Sequence, residues 1–385
     1  MVAVVVARTA AVLALAALAL TGCTPSPAPT PTRTPTATPT PTPTPTVDPI
    51  ARLTLEQEVG QLFIVGTPAV ALDADALAAI RDRHVGGLFL RGRSTAPASA
   101  NLAVVQQAQG ASADGIPLIV STDQEGGQMQ VLQGPGFDRI PPAVAQGETD
   151  VGALRTMATQ WGSQLRAAGV NLDLAPVADI VPPGTAGRNP PIGVFQRQYG
   201  GDARTVADHA AAFAGGLRDA GVQSTAKHFP GLGHVTANTD TTANVTDDTV
   251  GADSPDVGVY RDLAASGVDA VMISSAIYSR IDGTQPATFS PAVLTLLRRG
   301  VGFRGVTMTD DMSSAVQVQS VTPADRAVRA IDAGVDIVLI SNVPGLAAPM
   351  TDAVIARAQS DPAFRAKVDA AARAVVGWKT RHLRS

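Results

Sequence analysis

The stretch Ala333-Gly334-Val335-Asp336-Ile337-Val338-Leu339-Ile340-Ser341 carries two signals. An Ala-rich, helix-like segment stops at a glycine, which can take the left-handed conformation that ends a helix. The run that follows is apolar almost without interruption, as a parallel strand buried on both faces requires. The same join recurs at Ala168-Gly169-Val170, Ala220-Gly221-Val222 and Ser266-Gly267-Val268, each time leading from an amphipathic segment into a β-rich run. Working outward from these joins gives eight candidate strands: Gln61 to Gly66, Gly87 to Arg91, Pro117 to Asp123, Val170 to Ala175, Val222 to His228, Asp269 to Ser275, Gly305 to Asp310 and Asp336 to Ser341. Eight repeats of strand, helix and glycine after Ile50 predict a single-domain α/β fold, a (β/α)8 barrel of the TIM type. A doubly wound open sheet is the alternative. Against it, no Gly-x-Gly-x-x-Gly follows the first strand, and eight parallel strands close naturally.

The chain has 385 residues, 45% hydrophobic and 16% charged, which excludes a disordered protein and suffices for one large core. Its net charge of -4 offers no basic field for phosphate backbones, so nucleic acid is not an expected partner. A single cysteine, Cys23, excludes a disulfide scaffold, a multi-cysteine metal site and a Cys-x-x-Cys redox pair.

The first fifty residues read as an address and a tether. The apolar run Ala10 to Leu20 is short for a bilayer span and has the length of a signal-peptide core. It leads into Leu20-Thr21-Gly22-Cys23, which resembles the lipobox of bacterial lipoproteins. The resemblance implies a signal peptide over 1–22 and a diacylglyceryl group on Cys23. Ten of the 29 prolines fall between Pro25 and Pro49, so 23–49 is expected to be a Thr/Pro stalk. The expected location is the extracytoplasmic face of the membrane, held there by lipid.

In a barrel the chemistry sits at the carboxyl ends of the strands. The polar residues there are Arg91, Asp123 with Glu125, Asp179, Lys227 with His228, Ser275, Asp310 with Asp311, and Asn342. Carboxylates, cations and hydroxyls without aromatics suit a polyhydroxylated ligand. The five histidines are scattered and no His-Glu-x-x-His pair occurs, so neither a metal nor another cofactor is expected.

The richest segment is Lys227-His228-Phe229-Pro230-Gly231-Leu232-Gly233-His234. Its KHFPG resembles the signature of family 3 glycoside hydrolases, in the branch of β-N-acetylhexosaminidases that trim peptidoglycan fragments. DQEGG at Asp123 to Gly127, NLDLAPVAD at Asn171 to Asp179, QRQYGGD at Gln196 to Asp202, PATFS at Pro286 to Ser290 and GFRGVTMTDDM at Gly302 to Met312 carry the same resemblance. It implies that Asp310 is the nucleophile of a retaining mechanism. It further implies that Asp123, Arg197, Lys227 and His228 bind the hydroxyls of the non-reducing sugar. Asp311 is expected to cap the following helix, and Glu125 to be a structural carboxylate satisfied by backbone amides.

The acid/base loop departs from the family pattern. Relatives continue as KHFPGHGDxxxDSH, with the last His as acid/base; here Asn238-Thr239-Asp240 stands at that site, and Leu232 and His234 replace the usual His and Asp. Asp240 and His234 are therefore the candidate proton donors. Val131 and Ser275 replace a frequent arginine and histidine, which leaves β-glycosides other than N-acetylglucosaminides open. The expectation is a monomeric, lipid-anchored glycosidase releasing terminal β-linked N-acetylglucosamine from cell-wall or other glycans. A glycan-binding protein with impaired catalysis, and a phosphorylase or transglycosylase, are the alternatives.

Overall fold

A computed structural model of the chain describes Gly22 and residues 48–112 and 115–383. The expected signal peptide except Gly22, the expected lipid-bearing Cys23 and nearly all of the expected Thr/Pro stalk lie outside the described residues. Residues 47–385 group as one unit.

Eight parallel strands form a closed barrel. They are β1 (Phe63–Pro68), β2 (Gly87–Arg91), β3 (Ile119–Thr122), β4 (Leu172–Asp173), β5 (Gln223–Phe229), β6 (Ala270–Ile273), β7 (Val306–Asp311) and β8 (Ile337–Ile340). Each pairs with its neighbours in sequence, and Phe63 opposite Val338 closes the ring between β1 and β8. The (β/α)8 reading therefore holds and the open sheet does not. The strand residues are almost all buried, because one face fills the barrel and the other lies under helices.

The surrounding helices are α1 (Ala74–Arg83), α2 (Ala98–Ala111), α3 (Val151–Ala167), α4 (Ala203–Asp219), α5 (Pro255–Ser266), α6 (Pro291–Thr295), α7 (Pro323–Ala333), α8 (Ala347–Ser360) and α9 (Pro362–His382). The side chains of Asp73, Asp150, Asp202 and Thr322 cap α1, α3, α4 and α7, accepting bonds from otherwise unpaired first-turn amides. At the four glycine joins φ is 83°, 78°, 86° and 107°, the left-handed values that the sequence pattern required. Helices α3 and α4 pack through Trp161 and Phe213, whose rings are 6.1 Å apart, and Phe229 of β5 meets Tyr260 of α5 edge-on at 5.0 Å.

Helix α9 ties the end of the domain to its beginning. Arg373 pairs with Asp48 at 3.1 Å and Arg365 with Glu58 at 2.6 Å. The buried Lys379 donates to Gln61 Oε1 and to the Gly86 carbonyl, both just ahead of β1 and β2, at the end of the barrel away from the strand carboxyl ends.

Candidate active site

The carboxyl ends of the strands surround a cleft of about 360 Å³, a volume typical of small-ligand sites. Asp123, Arg197, Lys227, His228, Asp240 and Asp310 all line it, although they come from four different strand-to-helix loops and strand ends.

Its floor is an ion network. Lys227, on β5, donates to Asp123 Oδ1 at 2.6 Å and pairs with Glu125 Oε1 at 2.7 Å. Arg197 forks onto Glu125, with Nε and Nη2 each 2.8 Å from a carboxylate oxygen, while Nη1 donates to the Pro191 carbonyl. Burial pushes the Glu125 carboxyl up, but the charges of Arg197 and Lys227 and their hydrogen bonds outweigh it and hold it at about 2. Burial alone would depress Lys227 and Arg197. The facing carboxylates reverse this and hold both cations above their ordinary values. The expectation of backbone amides around Glu125 is therefore corrected: two cationic side chains satisfy it. Those partners lie about 70 and 100 residues away in the chain, out of reach of local sequence reading.

His228 is oriented from behind. Its Nδ1 lies 2.8 Å from Asp179 Oδ2, and Asp179 Oδ1 accepts from the His228 and Leu232 amides. A carboxylate only accepts, so Nδ1 carries the proton and Nε2 is the nitrogen left for a ligand. Asp179 itself does not line the cleft.

Across the cleft stand two further aspartates. Asp310 is the next-to-last residue of β7 and is half-buried, with one oxygen accepting from the Asp311 amide at 2.8 Å. Asp240 comes from the long β5–α5 loop and exposes part of its surface, yet its carboxyl sits within the concave mouth. Desolvation there, and then the negative charge of Asp310, push it up to about 6 against the opposing charges of Arg197 and His228. The structure therefore brings Asp240 to the nucleophile candidate. His234 goes elsewhere: it is not among the cleft-lining residues, and its Nε2 lies 3.1 Å from Asp256 Oδ1 at the start of α5. That bond raises its pKa despite partial burial.

Asp311 does not cap a helix. Its oxygens accept from the amides and hydroxyls of Ser313 and Ser314 and from the Ser341 amide, so it builds the turn after Asp310. The helix that follows, α7, begins only at Pro323 and has its own cap in Thr322. Val131 and Leu232 line the cleft as buried apolar residues, and the buried Ser275 hydroxyl has no hydrogen-bond partner among the described residues. Among the described residues no group of three or more His, Cys, Asp or Glu is placed to hold a metal ion.

Two residues that hold the loops have no local sequence signal. Buried Asn189 donates to the Leu232 and Val235 carbonyls at 3.0 and 2.9 Å, tying the β4 loop to the β5 loop. Buried Gln317 does the same between the β5 and β7 loops.

Comparison with known proteins agrees with this architecture. The model of the glycosyl hydrolase family 3 N terminal domain matches residues 54–377. A crystal structure of β-N-acetylhexosaminidase from Beutenbergia cavernae is 53% identical and superposes with a TM-score of 0.85, covering 86% of this chain and 99% of that one. Beta-hexosaminidase LpqI of Mycobacterium tuberculosis is 34% identical over 302 residues, 75% of this chain and 74% of the relative. A beta-hexosaminidase of Methylococcus capsulatus is 32% identical over 302 residues, 76% and 86% of the two chains. With the closed barrel and the ordered motifs at its mouth, these likenesses establish that the chain belongs to glycosyl hydrolase family 3 and is a β-N-acetylhexosaminidase-like glycosidase.

Proposed function

We propose that the protein hydrolyses a terminal β-linked N-acetylglucosamine, or a related β-glycoside, from cell-wall or other glycans with retention of configuration. Asp310 is the nucleophile and Asp240 the acid/base. The observation that carries this reading is the pair of aspartates of unequal character in one cleft.

In the first step Asp240, protonated, gives its proton to the glycosidic oxygen while an Asp310 oxygen attacks the anomeric carbon. The bond to the leaving group breaks, and an aspartyl ester of the sugar forms. In the second step Asp240, now ionised, takes a proton from water, whose oxygen displaces Asp310 from the same carbon. Forming the ester removes the negative charge that had raised Asp240. Its pKa falls and it suits the role of base. Asp123 and His228 retain hydrogen-bonding capacity for the hydroxyls of the bound sugar after their own network is made. Arg197 and Lys227 hold the floor charged and rigid.

Incubation with an activated aryl 2-acetamido-2-deoxy-β-glucoside and a 5-fluoro glycosyl inactivator tests the reading. Turnover of the first and a label on the peptide containing Asp310, read by mass spectrometry, are the expected results. Absence of both, with sugar binding intact, overturns it in favour of a glycan-binding protein. We infer also that Cys23 carries a lipid and holds the enzyme outside the membrane, a reading supported by the Leu20-Thr21-Gly22-Cys23 sequence.

A further inference from the structure

We propose that Gln317 is a positioning residue for the acid/base, clamping the loop that carries Asp240 onto the loop that carries Asp310 before any substrate arrives. The proposal rests on the reading of Asp240 given above.

Gln317 lies in a short helical turn, Val316–Val318, seven residues after Asp310, and its side chain is buried. The side-chain amide pairs with one residue of the acid loop as a neighbouring strand would. The Val245 amide donates to Oε1 at 2.8 Å and Nε2 donates to the Val245 carbonyl at 3.3 Å. The main chain adds two bonds at the other end of the same loop: Gln317 N donates to the Thr239 carbonyl at 3.0 Å and Val316 N to the Asp240 carbonyl at 3.2 Å. Four bonds thus join the loops, and two of them end on Asp240 and its neighbour.

Both sides of this clamp are anchored. On the nucleophile side, Asp311 holds Ser313 and Ser314, Gln319 donates to the Ser313 carbonyl, and buried Arg326 donates to the Met312 carbonyl and to Gln319 Oε1. On the acid side, the Ile277 amide donates to the Val245 carbonyl, and Thr246–Asp247 pairs with Ile277–Tyr278. Between these anchors, residues 240–244 are all exposed, so packing contributes little to holding Asp240 at the cleft. A proton donor must stay within hydrogen-bond reach of the leaving oxygen, and a displacement of about 1 Å is costly to rate. The clamp supplies that constraint through a hydrogen-bonded path from one carboxylate's loop to the other's.

The test uses Gln317→Met, which keeps side-chain volume and removes both the acceptor and the donor of the side-chain amide. The specificity constant kcat/KM is compared on an unactivated β-linked disaccharide, which needs the acid, and on an activated aryl glycoside, which does not. The expected result is a loss of about tenfold or more on the disaccharide and a much smaller loss on the aryl glycoside. The basic limb of the pH profile also moves toward an ordinary carboxylate value as Asp240 leaves Asp310. Gln317→Glu, which keeps the acceptor for the Val245 amide, recovers part of the loss. Equal losses on both substrates with an unmoved pH limb would mean a purely structural role and overturn the proposal. If Gln317→Met does not fold, hydrogen exchange on the unmodified, ligand-free protein decides: slow exchange at the Val245, Val316 and Gln317 amides supports the clamp, and exchange as fast as in an open loop overturns it. Should Asp240→Asn itself fail to separate the two substrates, the assignment of the acid falls and this proposal falls with it.

Discussion

Asp240 and Asp310 are the same residue type in one cleft, and on the reading we propose their surroundings would divide the work between them. Asp240, pushed up to about 6, is protonated below that pH and ionised above it. A general acid works in its protonated form, so kcat/KM on an unactivated substrate is expected to fall as pH rises through about 6, read from a pH–rate profile. Asp240→Asn should lower kcat/KM on a natural disaccharide by about 10²- to 10⁴-fold and change an activated aryl glycoside far less. Glu125 gives the opposite pH signature. Its folded value of about 2 lies below the ordinary 4.5, so its ionised form stabilises the fold at pH above 4.5. That contribution is lost as pH falls from 4.5 through about 2. Acid titration of the denaturant midpoint measures it, and Glu125→Gln should flatten the curve over that window while lowering stability at neutral pH. Among these residues, the placement of Asp310 at the cleft was legible because TDDM ends an apolar strand in an ordered set of motifs. Asn189 and Gln317 were not, because each acts on backbone groups more than 40 residues away and neither residue type is informative alone.

At the scale of elements, the strands were legible because a buried parallel strand must be apolar on both faces and each preceding helix must stop. The glycine joins fixed where, and all eight strands lie within or beside the expected runs. The strand β4 is the instructive departure: Val170 to Ala175 was expected and only Leu172–Asp173 is regular. Its contacts with β5 continue through the Ala175 and Pro176 carbonyls, which accept from Thr225 and Lys227. Pro176 has no amide to donate, and pairing resumes beyond it, where the Ala178 amide donates to the Lys227 carbonyl at 2.6 Å before the chain reaches Asp179. The loops were legible as lengths but not as shapes. Asn189→Ala should make this concrete: it unpairs the Leu232 and Val235 carbonyls and the Ile192 and Gly193 amides. We expect a loss of about 1 to 3 kcal/mol in unfolding free energy by denaturant titration, together with reduced turnover, since the His228 and Leu232 region moves with it.

The unit formed by residues 47–385 is a barrel with its cleft at the carboxyl ends of the strands. Trp378 of α9 is fully buried, and Trp378→Ala should cost about 3 to 5 kcal/mol, measured as a lower denaturation midpoint. On the proposal that Cys23 carries a diacylglyceryl group, Cys23→Ala in the intact chain in its host should shift the protein from the membrane fraction to the soluble one without altering kcat, since the two acyl chains would anchor firmly and the cleft is remote in sequence. The pairing of Asp48 with Arg373 has a further consequence. Both ends of the barrel unit come together on α9, the helix that reaches the end away from the cleft through Lys379, so neither end crosses the mouth. The domain is thereby suited to circular permutation: a short linker from the end of α9 to residue 48 would join the old ends. New ones opened in an exposed turn between two helix-strand units would leave the cleft intact. A fusion partner or immobilising surface joined directly at residue 48 or at the end of α9 would likewise attach beside the pairing of Asp48 with Arg373 and leave the cleft free to meet a bulky glycan.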